Sequence, residues 1–424
     1  MSVINELYRH FKQATGITID SRNVETGSIF FALKGEHFDG NKYATEALEK
    51  GASIAVVDDK EYATGPGCFL VEDALKTLQE LATFHRKKLD IHVIGLTGTN
   101  GKTTSKELIR QVLSTKYKTY ATSGNLNNHI GVPLTILSIE NDIEIAVVEM
   151  GANHVGEIAQ LCQIAQPTHG LITNIGKAHL EGFGGYEGVI MAKSELYDYL
   201  LSSEGKAYVH YDDELLMKLA SRLTKETYGS DNKADVHASI IASLLFLEVK
   251  WNTQIIKTQL YGDYNFENVM AAVCTGISFG IDPLDISAAI ASYIPVNNRS
   301  QLVKSSSNTI IMDAYNANPS SMLAAIRHFR RGDAERKTLI LGDMLELGTT
   351  SPQEHQSILD EIRNKFEMVI LVGPEFLALG DKDFLAFENT MQAAEWIRSH
   401  PIRNACILLK GSRGIALEKL TDYL

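Results

Sequence analysis

Short apolar runs and longer amphipathic segments alternate along the chain, and this pattern predicts repeated strands and helices. Near the N-terminus, the runs at 28–33 and 53–57 predict strands, with a helix over 43–50 between them. From about residue 86 the pattern predicts strands at 92–97, 145–150 and 169–175 and helices at 102–116, 155–165 and 186–201. Such alternation is typical of a mostly parallel sheet with helices on both faces.

The rhythm changes in the second half of the chain. Residues 235–262 are β-rich without intervening helices, which predicts an antiparallel patch, and helices follow at 266–279 and 283–293. After a boundary near 295–298, strands separated by helices are predicted at 309–312, 338–341, 368–372 and 405–409. The whole pattern predicts three α/β domains: a small N-terminal one at 1–85, a central one at 86–297 and a Rossmann-like C-terminal one at 298–424.

Length and charge narrow the class of protein. A chain of 424 residues exceeds what one core usually supports, which agrees with several domains. The net charge of −12, without a basic stripe, argues against nucleic-acid binding. The most apolar segment, 240–247, is too short to cross a bilayer, and no hydrophobic stretch near the N-terminus resembles a secretory signal. Four widely spaced cysteines suggest buried apolar side chains in a reducing compartment, so we expect a cytoplasmic protein without membrane insertion.

A glycine-rich loop after the strand at 92–97 is the strongest chemical signal. Residues 98–103 read Gly-Thr-Asn-Gly-Lys-Thr, and a helix is predicted to follow. A strand, such a loop and a helix form a phosphate-binding loop, in which backbone N–H groups and Lys102 bind the phosphates and the Thr103 hydroxyl binds Mg²⁺. The first glycine of the general pattern is replaced by Leu96. The central domain is therefore predicted to bind a nucleoside triphosphate on a P-loop-type sheet.

Two polar residues are predicted at the carboxyl ends of neighbouring strands. Glu149 ends the strand at 145–150, and His179 follows the strand at 169–175. Open parallel sheets bind ligands at this edge, and a bound triphosphate needs a metal, so Glu149 is predicted to bind Mg²⁺ and His179 to face the same site. Lys193 lies within the helix at 186–201, where a lysine is ordinarily a solvated charge.

Amide-rich segments suggest further binding residues. Asn265 and Asn268 open a helix, where they could contact adenine or, in the case of Asn265, cap the helix. The segment 313–322 passes from a strand into a helix with Asn318 as the expected N-cap and Pro319 in the first turn, and it is more polar than capping requires. The segment 410–414 ends the last strand and could either bind an anion or only terminate the strand.

These motifs resemble those of the Mur ligase family, the ATP-dependent amide-forming enzymes of peptidoglycan precursor synthesis. The resemblance runs from Asp20-Ser21-Arg22 to Lys410-Gly411-Ser412-Arg413, and the loop at 98–103 is the family's form of the phosphate loop. Within the family, the segments 122–133, 149–154 and 313–322 are similar to those of members that add D-alanyl-D-alanine. Members that add diaminopimelate or lysine, and folylpolyglutamate synthases, carry a histidine-bearing motif where this chain has Asn316.

The resemblance implies roles for the matching residues. Lys102, Glu149, His179 and Lys193 would be catalytic, with Thr103 and Glu149 binding one Mg²⁺, His179 helping to bind another, and Lys193 carbamylated so that it can reach metal. The residues implied to bind ATP are Gly98, Thr99, Asn100, Gly101, Lys102, Thr103, Thr104, Asn265, Asn268, Arg299 and Asp313. Those implied to bind the other substrates are Ser21, Arg22, Asp39, Asn125, Asn127, Asn128, Tyr315, Asn316, Asn318 and Ser320.

The resemblance also implies a reaction, in which the terminal carboxylate of a UDP-N-acetylmuramoyl-tripeptide is activated by ATP as an acyl phosphate and joined to D-alanyl-D-alanine. The N-terminal domain would bind the UDP-sugar, and the C-terminal domain would bind the amine and close on ATP. A monomer is expected. Whether the third residue of the tripeptide is diaminopimelate or lysine stays open, as do an amide ligase of the same family that takes another amine, a P-loop ATPase switch, and a binding protein without catalysis.

Overall fold

Three mainly parallel sheets follow one another along the chain in a computed structural model, which describes residues 2–243, 245–296 and 298–424. Met1, Leu244 in the predicted β-rich region and Asn297 at the predicted domain boundary lie outside the described residues.

The N-terminal unit is a four-stranded parallel sheet in the order β1-β2-β5-β6 with helices packed against it. Its elements are α1 (Val3–Gln13), β1 (Ile17–Thr18), β2 (Ile29–Phe31), β3 (Lys34–Gly35), β4 (Phe38–Asp39), α2 (Ala44–Glu49), β5 (Ile54–Val57), β6 (Cys68–Leu70) and α3 (Ala74–Arg86). The short strands β3 and β4 form a separate antiparallel pair.

The central unit contains a seven-stranded, wholly parallel sheet in the order β13-β12-β11-β10-β7-β9-β8. The elements that build it are β7 (His92–Thr97), α4 (Lys102–Leu113), β8 (Thr119–Ala121), α5 (Gly131–Leu137), β9 (Ile145–Glu149), α6 (Glu157–Ala165), β10 (His169–Ile172), α7 (Leu180–Phe183), α8 (Tyr186–Ser202), β11 (Lys206–His210), α9 (Glu214–Leu219), β12 (Thr224–Gly229) and β13 (Val236–His237). An antiparallel sheet and two helices follow, made of β14 (Ser239–Ala242), β15 (Glu248–Trp251), β16 (Gln254–Lys257), α10 (Phe266–Ser278) and α11 (Pro283–Ser292).

The C-terminal unit is a six-stranded sheet in the order β17-β18-β22-β19-β20-β21, in which only β17 runs antiparallel. Its elements are β17 (Gln301–Lys304), β18 (Thr309–Asp313), α12 (Pro319–Arg331), β19 (Lys337–Gly342), α13 (Ser351–Ile362), β20 (Met368–Val372), α14 (Pro374–Ala378), β21 (Leu385–Phe387), α15 (Thr390–Ser399) and β22 (Cys406–Lys410). The predicted α/β class and the long predicted strands and helices are confirmed.

Several element ends differ from the prediction. The helix predicted to reach residue 116 ends at Leu113, and the strand predicted to reach 175 ends at Ile172. That strand ends early because Thr173 and Asn174 turn their side chains onto the glycine-rich loop. The antiparallel patch is confined to β14, β15 and β16, since β13 extends the parallel sheet. Short elements such as β8 and β17 have no expected counterpart, because three or four residues carry too little periodicity to be recognised. Strands β11 and β12, of five and six residues, were not predicted either.

One apolar core joins the N-terminal and central units. Buried residues of the N-terminal unit, including Phe31 and Leu78, belong to the same cluster as Val132, Ile136 and Val148 of the central unit. Helix α3 packs directly against α5 and α6. The buried guanidinium of Arg86 at the end of α3 donates to the carbonyl oxygens of Ala165 and Gln166 at 2.9 and 3.1 Å. The N-terminal unit is therefore fastened to the central one by both apolar and polar contacts.

Among the described residues, no helix is long and apolar enough to cross a membrane. The cysteines Cys68, Cys162, Cys274 and Cys406 are all free thiols. Cys162 and Cys274 are buried as predicted, whereas Cys68 and Cys406 are only partly buried.

Candidate active site

The glycine-rich loop lies between β7 and α4 and has backbone angles that require glycine at two positions. Gly98 has φ of +147° and Gly101 has φ of +78°. A Cβ at Gly98 would collide with the Thr173 hydroxyl, and one at Gly101 would collide with Oδ1 of Asn268. The loop is thus shaped by its own torsions and by two neighbouring segments.

Residues that follow β10 hold the loop in place. The N–H of Thr99 donates to the carbonyl of Asn174 at 2.9 Å, and the N–H of Asn100 donates to Oδ1 of Asn174 at 3.0 Å. The Thr99 hydroxyl meets both the N–H and the carbonyl of Gly176, at 2.9 and 3.2 Å. Asn174 was not assigned a role from the sequence, although its place after a predicted strand of the same sheet is a usable signal.

Lys102 is the first residue of α4 and folds back over the loop. Its Nζ donates to the carbonyls of Gly98 at 2.7 Å and Thr99 at 3.3 Å. Burial lowers the pKa of Lys102; Glu149 raises it and Arg299 lowers it further. The ammonium therefore sits in a poorly solvated place, where an anionic ligand would stabilise its charge.

Glu149 ends β9 with a buried carboxylate that points at the loop. The Thr103 hydroxyl donates to its Oε2 at 3.0 Å, and Nδ2 of Asn127 donates to its Oε1 at 2.9 Å. Its own N–H donates to the Thr122 hydroxyl at 3.0 Å. The predicted proximity of Thr103 and Glu149 is thus observed.

His179 lies in the same cavity, at the start of α7, with φ of +51°. Its Nδ1 pairs with the carboxylate of Glu346 from the C-terminal unit, and this pair lowers the pKa of Glu346. Glu346 carried no recognisable sequence signal, because it belongs to a loop between β19 and α13 with no motif around it. In this arrangement His179 serves as a contact between two units of the chain.

The helical position of Lys193 suggested a solvated charge, but the structure buries this side chain. Only 3% of Lys193 is exposed, and its Nζ lies 5.7 Å from the centre of the Phe183 ring. Burial, with a smaller contribution from Lys102, lowers the pKa of Lys193 to about 7. A large fraction of this amine is therefore neutral, and hence nucleophilic, near neutral pH.

The two asparagines at the start of α10 bind each other and the protein. Nδ2 of Asn268 donates to Oδ1 of Asn265 at 2.9 Å, and Nδ2 of Asn265 donates to the Tyr261 carbonyl at 2.8 Å. Oδ1 of Asn268 accepts from the Ser105 hydroxyl at 2.9 Å. Asn265 occupies the N-cap position of α10, but its side chain makes no capping bond. Both amides line the cavity with part of their bonding capacity already used.

Groups from the C-terminal unit complete the opposite wall. The guanidinium of Arg299 lies 3.7 Å from the centre of the Tyr315 ring, and that of Arg413 lies 5.5 Å from the same centre. The buried Nζ of Lys410 donates to Oδ2 of Asp313 at 2.6 Å. The segment 410–414 thus braces Asp313 and Tyr315.

Asn318 is the N-cap of α12, as predicted, and also contacts the glycine-rich loop. Its Oδ1 accepts from the N–H of Ser321 at 2.9 Å, which completes a capping box, while its Nδ2 donates to Oδ1 of Asn100 at 2.7 Å. Nδ2 of Asn100 donates in turn to the Ser320 hydroxyl at 3.1 Å. The loop and the C-terminal unit are therefore directly hydrogen-bonded.

These elements enclose a polar cavity of about 600 Å³. The predicted site residues that line it are Thr99, Asn100, Gly101, Lys102, Thr103, Thr104, Asn125, Asn127, Asn128, Glu149, His179, Lys193, Asn265, Asn268, Arg299, Asp313, Tyr315, Asn316, Asn318 and Ser320. Polar lining residues that were not assigned a role from the sequence include His129, Asn153, Glu157, Gln160, Asn174, Glu267 and Glu346, and Lys410 of the segment 410–414 also lines the cavity.

Four predicted site residues lie outside this lining. Gly98 is covered by its neighbours, while Ser21, Arg22 and Asp39 belong to the N-terminal unit. Arg22 forms a two-pronged pair with Asp20 at 2.9 and 2.8 Å. Asp39 accepts from the backbone and side chain of Asn41 at 3.0 and 2.9 Å. The structure does not bring these three residues to the phosphate loop.

The donor set suits a hard cation. The Thr103 hydroxyl and the Glu149 carboxylate offer oxygen atoms 3.0 Å apart, and Mg²⁺ is usually held by only one or two protein carboxylates together with phosphates and water. Within the described residues, no group of three or more His, Cys, Asp or Glu side chains could hold a metal ion alone. The site therefore fits a nucleotide-bound Mg²⁺ better than an independent metal centre.

The fold and the cavity define a class, a multi-unit α/β enzyme with a nucleotide loop that faces a second α/β unit. Residues 13–88 match the Mur ligase family catalytic domain, residues 96–276 the Mur ligase middle domain and residues 298–413 the Mur ligase glutamate ligase domain. The chain belongs to the Mur ligase family, and it is an ATP-dependent amide-bond ligase.

Individual relatives are similar along nearly the whole chain. The UDP-N-acetylmuramoyl-tripeptide--D-alanyl-D-alanine ligase of Bacillus subtilis is 35% identical over 96% of this chain and 93% of its own length. The ligase of the same name from Escherichia coli is 31% identical over 96% and 93%. A crystal structure of MurF from Acinetobacter baumannii superposes with a TM-score of 0.87 at 29% identity, covering 99% of this chain and 97% of that one. MurF from Thermotoga maritima in complex with ADP gives 0.85 at 28% identity, with 97% of each chain covered.

Proposed function

We propose that this protein joins D-alanyl-D-alanine to the terminal carboxylate of a UDP-N-acetylmuramoyl-tripeptide, with ATP as the energy source, in peptidoglycan precursor synthesis. The observation that carries the proposal is the single cavity that gathers the phosphate loop, Glu149, Lys193 and the segment 313–322. Whole-length similarity to ligases of that name supports the choice of substrates.

The proposed reaction has two steps. An oxygen of the tripeptide carboxylate attacks the γ-phosphorus of ATP, the bond to the β,γ-bridging oxygen breaks, and ADP leaves. The amine nitrogen of D-alanyl-D-alanine then attacks the acyl carbon. The bond between that carbon and the phosphate oxygen breaks, inorganic phosphate leaves, and the nitrogen loses a proton. Phosphoryl transfer of this kind asks a protein mainly for positioning and for neutralisation of charge.

The loop residues supply that positioning. The backbone N–H groups of 98–104 and the N-terminus of α4 hold the phosphates, and Lys102 transfers its hydrogen bonds from the Gly98 and Thr99 carbonyls to phosphate oxygens. Mg²⁺ held by Thr103 and Glu149 would supply further neutralisation of the phosphate charge. The amides of Asn265 and Asn268 and the groups of Arg299 and Asp313 face the nucleoside.

Lys193 and His179 complete the proposed catalytic set. The neutral amine of Lys193 is the form that adds CO₂; with loss of a proton, carbamylation would give an anion whose oxygens could serve as metal ligands. His179 lines the cavity and pairs with Glu346 through Nδ1, so its second ring nitrogen would be the one available to a ligand. The amine substrate lies against Tyr315, Asn316 and Asn318, where the C-terminal unit at 298–424 closes the cavity over ATP bound by the unit at 86–297.

The UDP-sugar end of the tripeptide substrate is assigned to the N-terminal unit at 1–85. Ser21, Arg22 and Asp39 lie there, outside the lining of the cavity. A substrate that is anchored at this unit and reacts at the loop would span both units, which suits a long nucleotide-linked peptide.

A coupled ADP assay with a panel of amines tests the proposal. We expect ADP release in the presence of the tripeptide precursor and D-alanyl-D-alanine, and none when D-alanine, L-lysine, diaminopimelate or glutamate replaces the dipeptide. Precursors that end in diaminopimelate or in lysine identify the accepted third residue. Lys102→Met should abolish turnover, whereas Lys87→Met, which removes an exposed lysine from the surface, should not. Activity with another amine and none with D-alanyl-D-alanine would reject the assignment.

A further inference from the structure

Lys106 is a buried lysine beside the cavity whose position the proposed chemistry does not yet explain. It lies one helical turn after Lys102 in α4, and only 1% of it is exposed. A buried ammonium is costly unless oxygen atoms surround it. Nζ of Lys106 meets three: the Thr122 carbonyl at 2.6 Å, Oε1 of Glu107 at 3.1 Å and Oε2 of Glu149 at 3.8 Å.

These contacts tie together the three segments that surround Glu149. Thr122 follows β8, and its hydroxyl accepts the N–H of Glu149 at 3.0 Å. The loop that begins at Thr122 carries Asn127, whose Nδ2 donates to Oε1 of Glu149 at 2.9 Å. Lys106 thus joins the helix after the phosphate loop, the loop at 122–130 and the end of β9.

We propose that Lys106 is a positioning residue that fixes the Glu149 carboxylate and the 122–130 loop in the orientation needed for the nucleotide-bound Mg²⁺. The inference rests on the proposed role of Glu149 as a metal ligand. Replacement of a residue that contacts and orients a metal ligand commonly lowers metal affinity by about 10- to 100-fold.

If Lys106 acted only through its charge, its removal would change Mg²⁺ affinity in the opposite direction. An ammonium close to the carboxylate repels a divalent cation, so its removal would make the site more negative and Mg²⁺ binding tighter. Loss of positioning instead weakens Mg²⁺ binding. The direction of the change therefore separates the two roles.

The experiment measures ADP binding by calorimetry across a series of Mg²⁺ concentrations. ADP affinity should rise with Mg²⁺ concentration, and the midpoint of that rise measures how tightly Mg²⁺ binds. We expect Lys106→Met to shift the midpoint to an about tenfold higher Mg²⁺ concentration, which is the lower end of the range for such residues. Lys106→Arg, which keeps the charge, should recover part of this loss. Lys87→Met, at an exposed lysine, should behave as the wild type.

A second background shows whether Lys106 acts through Glu149. If it does, the double variant Glu149→Gln, Lys106→Met should show the same Mg²⁺ dependence of ADP binding as the single variant Glu149→Gln. Thermal unfolding of each variant detects a merely structural role. If Lys106→Met does not fold, Lys106→Gln carries the same measurements, because it keeps a donor for the Thr122 carbonyl without the charge.

Two outcomes would overturn the inference: an unchanged Mg²⁺ dependence with only a lower melting temperature, or a tighter one. Ligation of D-alanyl-D-alanine by the wild type is measured separately. Its failure would reject the proposed function while leaving the Mg²⁺ result for Lys106 intact.

Discussion

Gly101 serves the phosphate loop through both its torsion angle and its lack of a side chain. Its φ of +78° disfavours other residues, and Asn268 occupies the space that a Cβ would need. We expect Gly101→Ala to lower the free energy of unfolding by about 1–3 kcal/mol and to weaken ADP binding, because Asn268 must move away from Ser105. Thermal unfolding and calorimetry measure the two effects.

Gly380→Ala is the matched control for this prediction. Gly380 also has a positive φ, +62°, but nothing lies within 4 Å of its would-be Cβ. It should therefore show only the torsional cost and leave ADP binding unchanged. Equal nucleotide affinity in the two variants would contradict the role assigned to the contact between Gly101 and Asn268.

Lys193 offers a pH-dependent test of carbamylation. Burial lowers its pKa to about 7, so the reactive neutral amine predominates above that pH and the ammonium below it. We expect protein equilibrated with ¹³C-bicarbonate at about pH 8 to show a carbamate signal by NMR, and the signal to fade at about pH 6. The signal should be absent in Lys193→Arg; its persistence there would assign it to another amine.

At the scale of residues, strand-end chemistry could be predicted but burial could not. Thr103 and Glu149 meet as expected, because parallel strands end at a common edge. Lys193 looked like a surface lysine, since a helical position does not reveal which neighbour covers it. Lys106 and Glu346 went unassigned because Glu149 and His179, with which they pair, lie far away in the sequence.

Helix α12 begins with a side chain that has two separable tasks. Asn318 caps the helix through Oδ1 and holds Asn100 through Nδ2. Serine caps helices about as well as asparagine but is too short to reach Asn100. We therefore expect Asn318→Ser to change the free energy of unfolding little and to raise the KM for ATP about two- to tenfold, as the loss of one hydrogen bond allows.

Helix α15 supplies the control for that prediction. Asn389 caps it by accepting from the N–H of Gln392 at 3.1 Å, away from the phosphate loop. Asn389→Ser should keep both the stability and the KM for ATP. If the two variants shifted KM equally, the contact between Asn318 and Asn100 would not be the cause. Steady-state kinetics and thermal unfolding together decide.

Long elements of the chain were predictable, and their ends were less so. The strands at 92–97 and 368–372 match β7 and β20 residue for residue, and the second of them is a continuous apolar run bounded by Glu367 and Gly373. The end of β10 at Ile172 depends on bonds from Thr173 and Asn174 to Asn100, which are tertiary contacts. The local pattern of apolar and polar residues cannot predict such contacts.

At the scale of the whole molecule, Asp263 connects the central and C-terminal units. Its carboxylate pairs with His328 at 3.2 Å and with Arg331 at 2.5 Å, and these neighbours lower the pKa of Asp263 to about 2, His328 most strongly. Because the folded pKa lies below the ordinary 3.8, the stabilisation is complete above pH 3.8 and is lost as the pH falls towards 2.

Asp263→Asn tests this linkage. We expect the variant to unfold at a lower temperature than the wild type near neutral pH, and the difference to vanish as the pH approaches about 2. Asp20→Asn is the control. The pKa of Asp20 is also lowered to about 2, but its partner Arg22 lies in the same exposed turn, so this pair does not connect two units. A constant difference across the pH series would show that the Asp263 pairs do not stabilise the interface.

The α/β class could be predicted from the order of elements, but not how the units join. Helix α3 falls within the segment predicted as the N-terminal domain, yet it packs against α5 and α6 of the central unit. Apolar positions in α3 identify a buried face without identifying the surface that covers it. Contacts such as His179 with Glu346 are likewise invisible in either segment alone.

The continuous core beneath α3 gives the two joints of the molecule different responses to ionic strength. The N-terminal joint buries Phe31, Leu78 and their neighbours, and added salt does not screen apolar burial. The C-terminal joint includes Lys177 with Glu354 at 3.2 Å, in which the lysine is exposed, and added salt weakens an ion pair of this kind. We therefore expect a rise in salt to weaken the joint between the central and C-terminal units more than the joint between the N-terminal and central units.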